Sequence, residues 1–213
     1  INMTDFKKAL ERMKEKKIDI EKYVNITYSL IEMLDDRKES IESMLEIIGE
    51  RYFSCPASSK EEYHGAYPGG LVQHSVEQTK LLMKIHSVLS IDEVEVSKSN
   101  LIICGLFHDL GKIGTKSGKP QYIVQTDEWR RNKLGEVYTW NNDLDDGLTH
   151  AQRSLRLLSE FNVNLNDEEY FSILHHDGLA TQENQIREVM NSKNKLYRLL
   201  NFTDSWVCFV NKL

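Results

Sequence analysis

Proline is scarce in this sequence, with three in 213 residues. No stretch rich in proline, glycine or serine interrupts the chain, so nothing marks a linker, and one domain over residues 1–213 is expected. Cysteine is equally rare. Cys55, Cys104 and Cys208 are odd in number and widely spaced, which argues against a disulfide framework and for a reducing, cytoplasmic setting. No apolar run is long enough to span a bilayer, and the first residues lack the pattern of a secretory signal, so no membrane partner is expected. Positive charge is in deficit: 27 Lys and Arg stand against 33 Asp and Glu, a net charge of −6. That balance argues against stable binding to duplex nucleic acid. Internal repeats and low-complexity tracts are also missing.

The sequence has a 40% hydrophobic content, enough for a sizeable core, and its apolar residues recur mostly at helical spacing. An all-α fold is expected. Residues 5–16, 19–34 and 39–49 read as helices that pack the first quarter of the chain (residues 1–53) and offer a surface on which two copies could pair as a homodimer. Residues 54–68, bounded by Pro56 and Pro68, read as irregular. A helix is expected from about 70 to 89, then one opened by a capping box at Ser90-x-x-Glu93 and running to Lys112. Within 119–141, two β-prone runs flank a polar centre and predict a small hairpin. Thr149-x-x-Gln152 and Asn166-x-x-Glu169 are capping boxes for two further helices, and a last helix is expected over 193–212.

Phe107-His108-Asp109-Leu110-Gly111-Lys112 is the most informative stretch. It sets an imidazole beside a carboxylate at the end of Leu101-Ile102-Ile103-Cys104-Gly105-Leu106, which is apolar nearly all round and therefore expected to be buried. Burying His and Asp side by side is costly unless a partner satisfies both, and a divalent metal is the simplest partner. His74 falls on an apolar face with Leu71, Gln78, Leu81 and Ile85; the plainer reading is a hydrogen-bonded core histidine. His150 opens a helix, where exposure is the default. His175-His176-Asp177 could be only a polar helix end. Asp204 shares a face with Leu196, Leu200, Val207 and Cys208, where a carboxylate needs a partner, either a metal or Arg198. Together these residues form an imidazole and carboxylate set suited to Mn, Fe, Zn, Co or Ni.

In the order His74, His108-Asp109, Asp204 the chain resembles the HD-domain metal-dependent phosphohydrolases over residues 64–208. The string from His64 through Pro68-Gly69-Gly70 to His74 looks like the first-ligand segment of the 3′-5′ exoribonuclease-like branch, and Asn201-Phe202-Thr203-Asp204 looks like the last. Thr126 to Arg131, Leu134-Gly135, Tyr138, Arg153-Ser154-Leu155 and His176-Asp177-Gly178 resemble strings shared by phage-encoded HD proteins. The resemblance implies an HD-type helical bundle with the hairpin as an insertion. It implies one metal on His74, His108, Asp109 and Asp204, and a second on the bridging Asp109 with His150 and His176, where Mg is also admissible. Asp177 stands where the family has a second histidine of a pair, and would face substrate.

The activity so implied is hydrolysis of a phosphoester, in a nucleotide or short oligonucleotide, by a metal-bound hydroxide with Asp109 at its centre. Lys112 would steady a phosphate oxygen, unless it is only a solvated helix-end cation. Trp129, Arg130 and Arg131 would form a lid over base and phosphate, or else an ordinary exposed hairpin tip; Arg153 would also contact substrate. Two other classes stand beside this one. A di-iron oxygenase would use the same six His and Asp residues, and a non-catalytic nucleotide-binding module would keep the metal without turnover.

Overall fold

The computed structural model describes residues 18–34, 36–89, 96–177, 189 and 192–211. The helix expected over 5–16 and the capping box at Ser90 lie outside them. Eight α-helices and one two-stranded sheet make up the regular structure of the described residues, so the fold is all-α with a small hairpin. In chain order the helices are α1 (Ile20–Ile31), α2 (Lys38–Ser54), α3 (Gly70–Leu89), α4 (Lys98–Phe107), α5 (Glu128–Leu134), α6 (His150–Glu160), α7 (Asp167–His175) and α8 (Lys195–Val210). Among the described residues no helix is long and apolar enough to cross a membrane.

Most helices start on a side-chain cap. Asp19, Ser97, Asp127, Thr149, Asn166 and Asn194 each accept a hydrogen bond from a first-turn backbone N–H, satisfying a donor that has no partner within the helix. Thr149 with Gln152 and Asn166 with Glu169 form complete capping boxes. Helix α4 begins later than expected, on Ser97, and ends sooner. Its last residue is Phe107, and Lys112 belongs to a separate 3₁₀ turn, Leu110–Ile113. The break falls at His108-Asp109, and Asp109 sits near the sparsely populated bridge region with φ −100° and ψ 7°.

Helix α4 is central: every residue from Ser99 to Phe107 is buried, and α3, α7, α8 and α1 pack around it. The close approach of α3 and α4 depends on Gly105, where a Cβ would strike Thr79 Oγ1 and stand 2.9 Å from Thr79 Cα. Helices α1 and α2 add Leu30, Ile31, Ile41, Met44, Ile48 and Tyr52 to the same core. Tyr52 donates to the Leu106 carbonyl at 2.7 Å, and Arg37 reaches the fully buried Glu169 of α7 at 2.8 Å. The first quarter of the described chain is thus built into the core that holds the centre of the molecule.

The hairpin pairs β1 (Tyr122–Val124) with β2 (Tyr138–Trp140) antiparallel, in the register Tyr122 to Trp140 and Val124 to Tyr138. Between the strands stands α5, which the β-prone reading of this stretch does not anticipate. Asp127 caps it, and Gly135 ends it with φ 62°.

Candidate metal centre

Five segments deliver imidazoles and carboxylates to one place. His74 comes from the second turn of α3, His108 and Asp109 from the break after α4, His150 from the first turn of α6 and His176 from the end of α7. Asp204 comes from the middle of α8. His74, His108, Asp109, His176 and Asp204 are all buried.

Asp109 lies at the centre with its two oxygens facing different partners. Oδ2 is 3.5 Å from His108 Nε2 and 3.7 Å from His74 Nε2. Oδ1 is 3.3 Å from both His150 Nε2 and His176 Nε2. Asp204 Oδ1 closes one end, 3.0 Å from His74 Nε2 and 3.7 Å from His108 Nε2. Asp177 closes the other, with Oδ2 2.7 Å from His150 Nε2.

The backbone fixes which nitrogens point inward. His108 Nδ1 lies 3.1 Å from the Gly105 carbonyl and His176 Nδ1 2.7 Å from the Ile173 carbonyl. A carbonyl only accepts, so each Nδ1 carries a proton, and each Nε2 is the nitrogen turned to the centre. Ser154 then ties the segments together. It donates between the His108 and His150 carbonyls at 2.8 and 3.0 Å, and accepts from Gly111 N at 2.7 Å. Gly111 lets α6 come this close: a Cβ there would meet the His150 carbonyl oxygen. Asn201 donates to the His176 carbonyl at 2.7 Å, fastening α8 to the end of α7.

Proximity here is not pairing. Asp109 Oδ1, His150 Nε2 and His176 Nε2 are buried without an aligned hydrogen-bond partner among the described residues. His74 Nε2 and His108 Nε2 face each other at 3.2 Å. Converging nitrogens and carboxylate oxygens are expensive to bury unless protons or a cation stand between them, and a shared cation relieves them all at once. The donor set fits a divalent transition metal. Three trios (His74, His108 and Asp204; His108, Asp109 and His176; His150, His176 and Asp177) each have ligand atoms within 4.8 Å of one another.

Without a cation, protons and Lys112 carry the compensation. Burial would lower His108, but Asp109 and Asp204 outweigh it and push His108 up to about 10. Burial would raise Asp109, yet Lys112 and His108 hold it well below the carboxylate range. Asp204 is likewise depressed, because His108 and His74 outweigh its burial. Lys112 is no solvated helix-end cation: its Nζ donates to Asp109 Oδ2 at 2.6 Å, and its side chain is largely buried.

Several sequence expectations are redrawn. Asp204 meets His74 and His108, whereas the Arg198 guanidinium lies 5.6 Å from the Tyr197 ring centre. His175 is half-buried on Phe171, 4.6 Å between ring centres, outside the cluster. His150 is turned inward rather than exposed. Asp177, expected on substrate, reaches His150. Arg153, also expected on substrate, has all five N–H donors engaged. It holds Asp146 through two bonds, at 2.8 and 2.9 Å, along with Gln121 Oε1 and the Gly111 and Leu148 carbonyls. At 1% exposure it is a buried clamp between the 3₁₀ turn and the loop before α6, with no donor left for a phosphate. Trp129 is exposed and Arg130 reaches Glu136 at 3.4 Å; neither is hydrogen-bonded or ion-paired to the cluster among the described residues.

Sequence reasoning missed His64 and Cys208. His64 Nε2 is 3.4 Å from Cys208 Sγ, and the rings of His64 and His74 stand 4.8 Å apart. Cys208 follows Asp204 by one helical turn, a spacing visible in the sequence; its approach to His64, 144 residues away, is not.

Fold and centre together define an all-α protein with buried His/Asp groups able to hold a metal ion. No family model, no curated protein and no solved structure matches the chain.

Proposed function

We propose that this protein is a metal-dependent phosphohydrolase of the HD-domain type, acting on a phosphoester of a nucleotide or short oligonucleotide. One observation carries the reading: each oxygen of Asp109 faces its own pair of histidines. A carboxylate so placed can hold two cations, one with His74, His108 and Asp204 and the other with His150, His176 and Asp177. Divalent metals bound there supply Lewis acidity and lower the pKa of bound water, the requirements for hydrolysing a phosphoester near neutral pH.

The residues' roles follow from their positions. His108 and His176, locked through Nδ1, keep Nε2 aimed at the centre, so a cation would replace a proton there without turning the rings. Lys112 neutralises Asp109 Oδ2 in the metal-free protein; were Asp109 to hold a cation, the Lys112 ammonium would be available to a phosphate oxygen. Trp129, exposed on α5, offers a ring face to a base, with Arg130 and Arg131 on the same turn for phosphate.

Metal-stripped protein reloaded with Mn²⁺, Co²⁺, Ni²⁺ or Zn²⁺ and offered nucleoside monophosphates, cyclic nucleotides and short oligonucleotides tests this. Hydrolysis should depend on the metal, and Asp109→Ala should lose both activity and metal. Parent-rate hydrolysis by Asp109→Ala would falsify the reading. A di-iron oxygenase is the second reading, favoured by the inward turn of both His150 and His176 toward Asp109. Oxygen uptake by the iron-loaded form, without phosphoester hydrolysis, would select it.

A further inference from the structure

Beyond the Asp109 centre lies a second group of ligands with a different chemistry. Cys208 Sγ is 3.7 Å from Asp204 Oδ1 and 3.4 Å from His64 Nε2. One donor atom from each of His64, His74 and Cys208 lies within 4.8 Å of the others. His74 belongs both to this trio and to the one with His108 and Asp204.

The shared histidine is the one suited to sharing. His108 and His176 are pinned through Nδ1 to backbone carbonyls. His74 Nδ1 is buried with no partner among the described residues, so no such bond fixes its tautomer or ring orientation. Asp204 adjoins the trio through Cys208 and His74, so the four residues offer two imidazoles, a carboxylate and a thiol, donor types that tetrahedral zinc accepts. Sulfur among them favours zinc over manganese or magnesium. His64 and Cys208 are both half-buried, so an ion can reach them from solvent.

We infer that His64, His74, Asp204 and Cys208 form a zinc-selective subsite that shares two ligands with the Asp109 centre and so competes with it for metal. On binding, the Cys208 thiol gives its proton to solvent and its sulfur forms the bond to the ion, with no change of oxidation state. Zinc seated there draws His74 and Asp204 away from His108 and Asp109. The subsite requires no catalysis, only these four side chains.

Metal-free full-length protein titrated with Co²⁺, a spectroscopic stand-in for Zn²⁺, provides the test. A sulfur-to-cobalt charge-transfer band should grow in the near ultraviolet, vanish in Cys208→Ser, weaken in His64→Ala and be displaced by Zn²⁺. Bound cobalt with visible bands but no near-ultraviolet band, unchanged in Cys208→Ser, would overturn the subsite and leave the His/Asp centre standing. No bound cobalt at all would overturn both. Should Cys208→Ser fail to fold, alkylation of the parent protein decides: Zn²⁺ must protect Cys208 from iodoacetamide, and equal labelling with and without zinc overturns the subsite.

Discussion

At the scale of single residues, the centre balances charges that change with pH. His108 is raised from 6.5 to about 10, so its contribution to stability is complete below 6.5 and lost as pH climbs to about 10. Asp109 and Asp204 are depressed from 3.8, so theirs is complete above 3.8 and lost only in stronger acid. Metal-stripped protein should therefore melt at its highest temperature between about pH 4 and pH 6.5, and progressively lower toward pH 10. Loaded protein should lose that alkaline decline, because the cation replaces the protons. Thermal melts across pH, with and without chelator, check this; identical profiles would contradict it. The chemistry of His108-Asp109 is legible in the sequence because two polar groups end an apolar run. Asp177 and His64 are less legible, since a half-exposed carboxylate and an unremarkable histidine acquire meaning only from what the fold sets beside them.

At the scale of elements, the centre depends on how closely the 3₁₀ turn and α6 approach. Gly111→Ala would push its Cβ into the His150 carbonyl, and strain of this kind costs about 1–3 kcal/mol. Metal at His150 and His176 should weaken more than metal at His74 and Asp204, which stoichiometry by elemental analysis can read. Arg153→Met removes all five bonds of the clamp and leaves Asp146 with the Leu148 N–H, at a cost on the order of 2 kcal/mol. It should lower the melting temperature and, by loosening the 3₁₀ turn against α6, weaken metal at His150 and His176 before metal at His74 and Asp204; an unchanged melting temperature would contradict the clamp. The caps at Thr149 and Asn166 stand plainly in the sequence because capping is local. Helix α5 does not, although Asp127 and Gly135 are ordinary start and stop signals, because the β-prone runs on either side dominate that stretch. The break at His108-Asp109 is also hidden: apolar periodicity continues through Leu110 and Ile113 while the backbone changes course.

At the scale of the whole molecule, α1 and α2 hold the centre without contributing a ligand. Tyr52 fastens α2 to the end of α4, and Arg37 fastens the start of α2 to α7. The predominance of helix follows from apolar spacing and is readable from the chain. The convergence of α3, α4, α6, α7 and α8 on one point is a long-range property that spacing does not encode; in sequence it rests on resemblance alone. The most direct measurement counts and places metal ions in crystals of protein purified without added metal, by elemental analysis with anomalous scattering. Two ions about 3.5–4 Å apart, with one oxygen of Asp109 toward each, are the predicted result. No ion in the cluster even after soaking with Mn²⁺, Co²⁺ and Zn²⁺ would contradict the account.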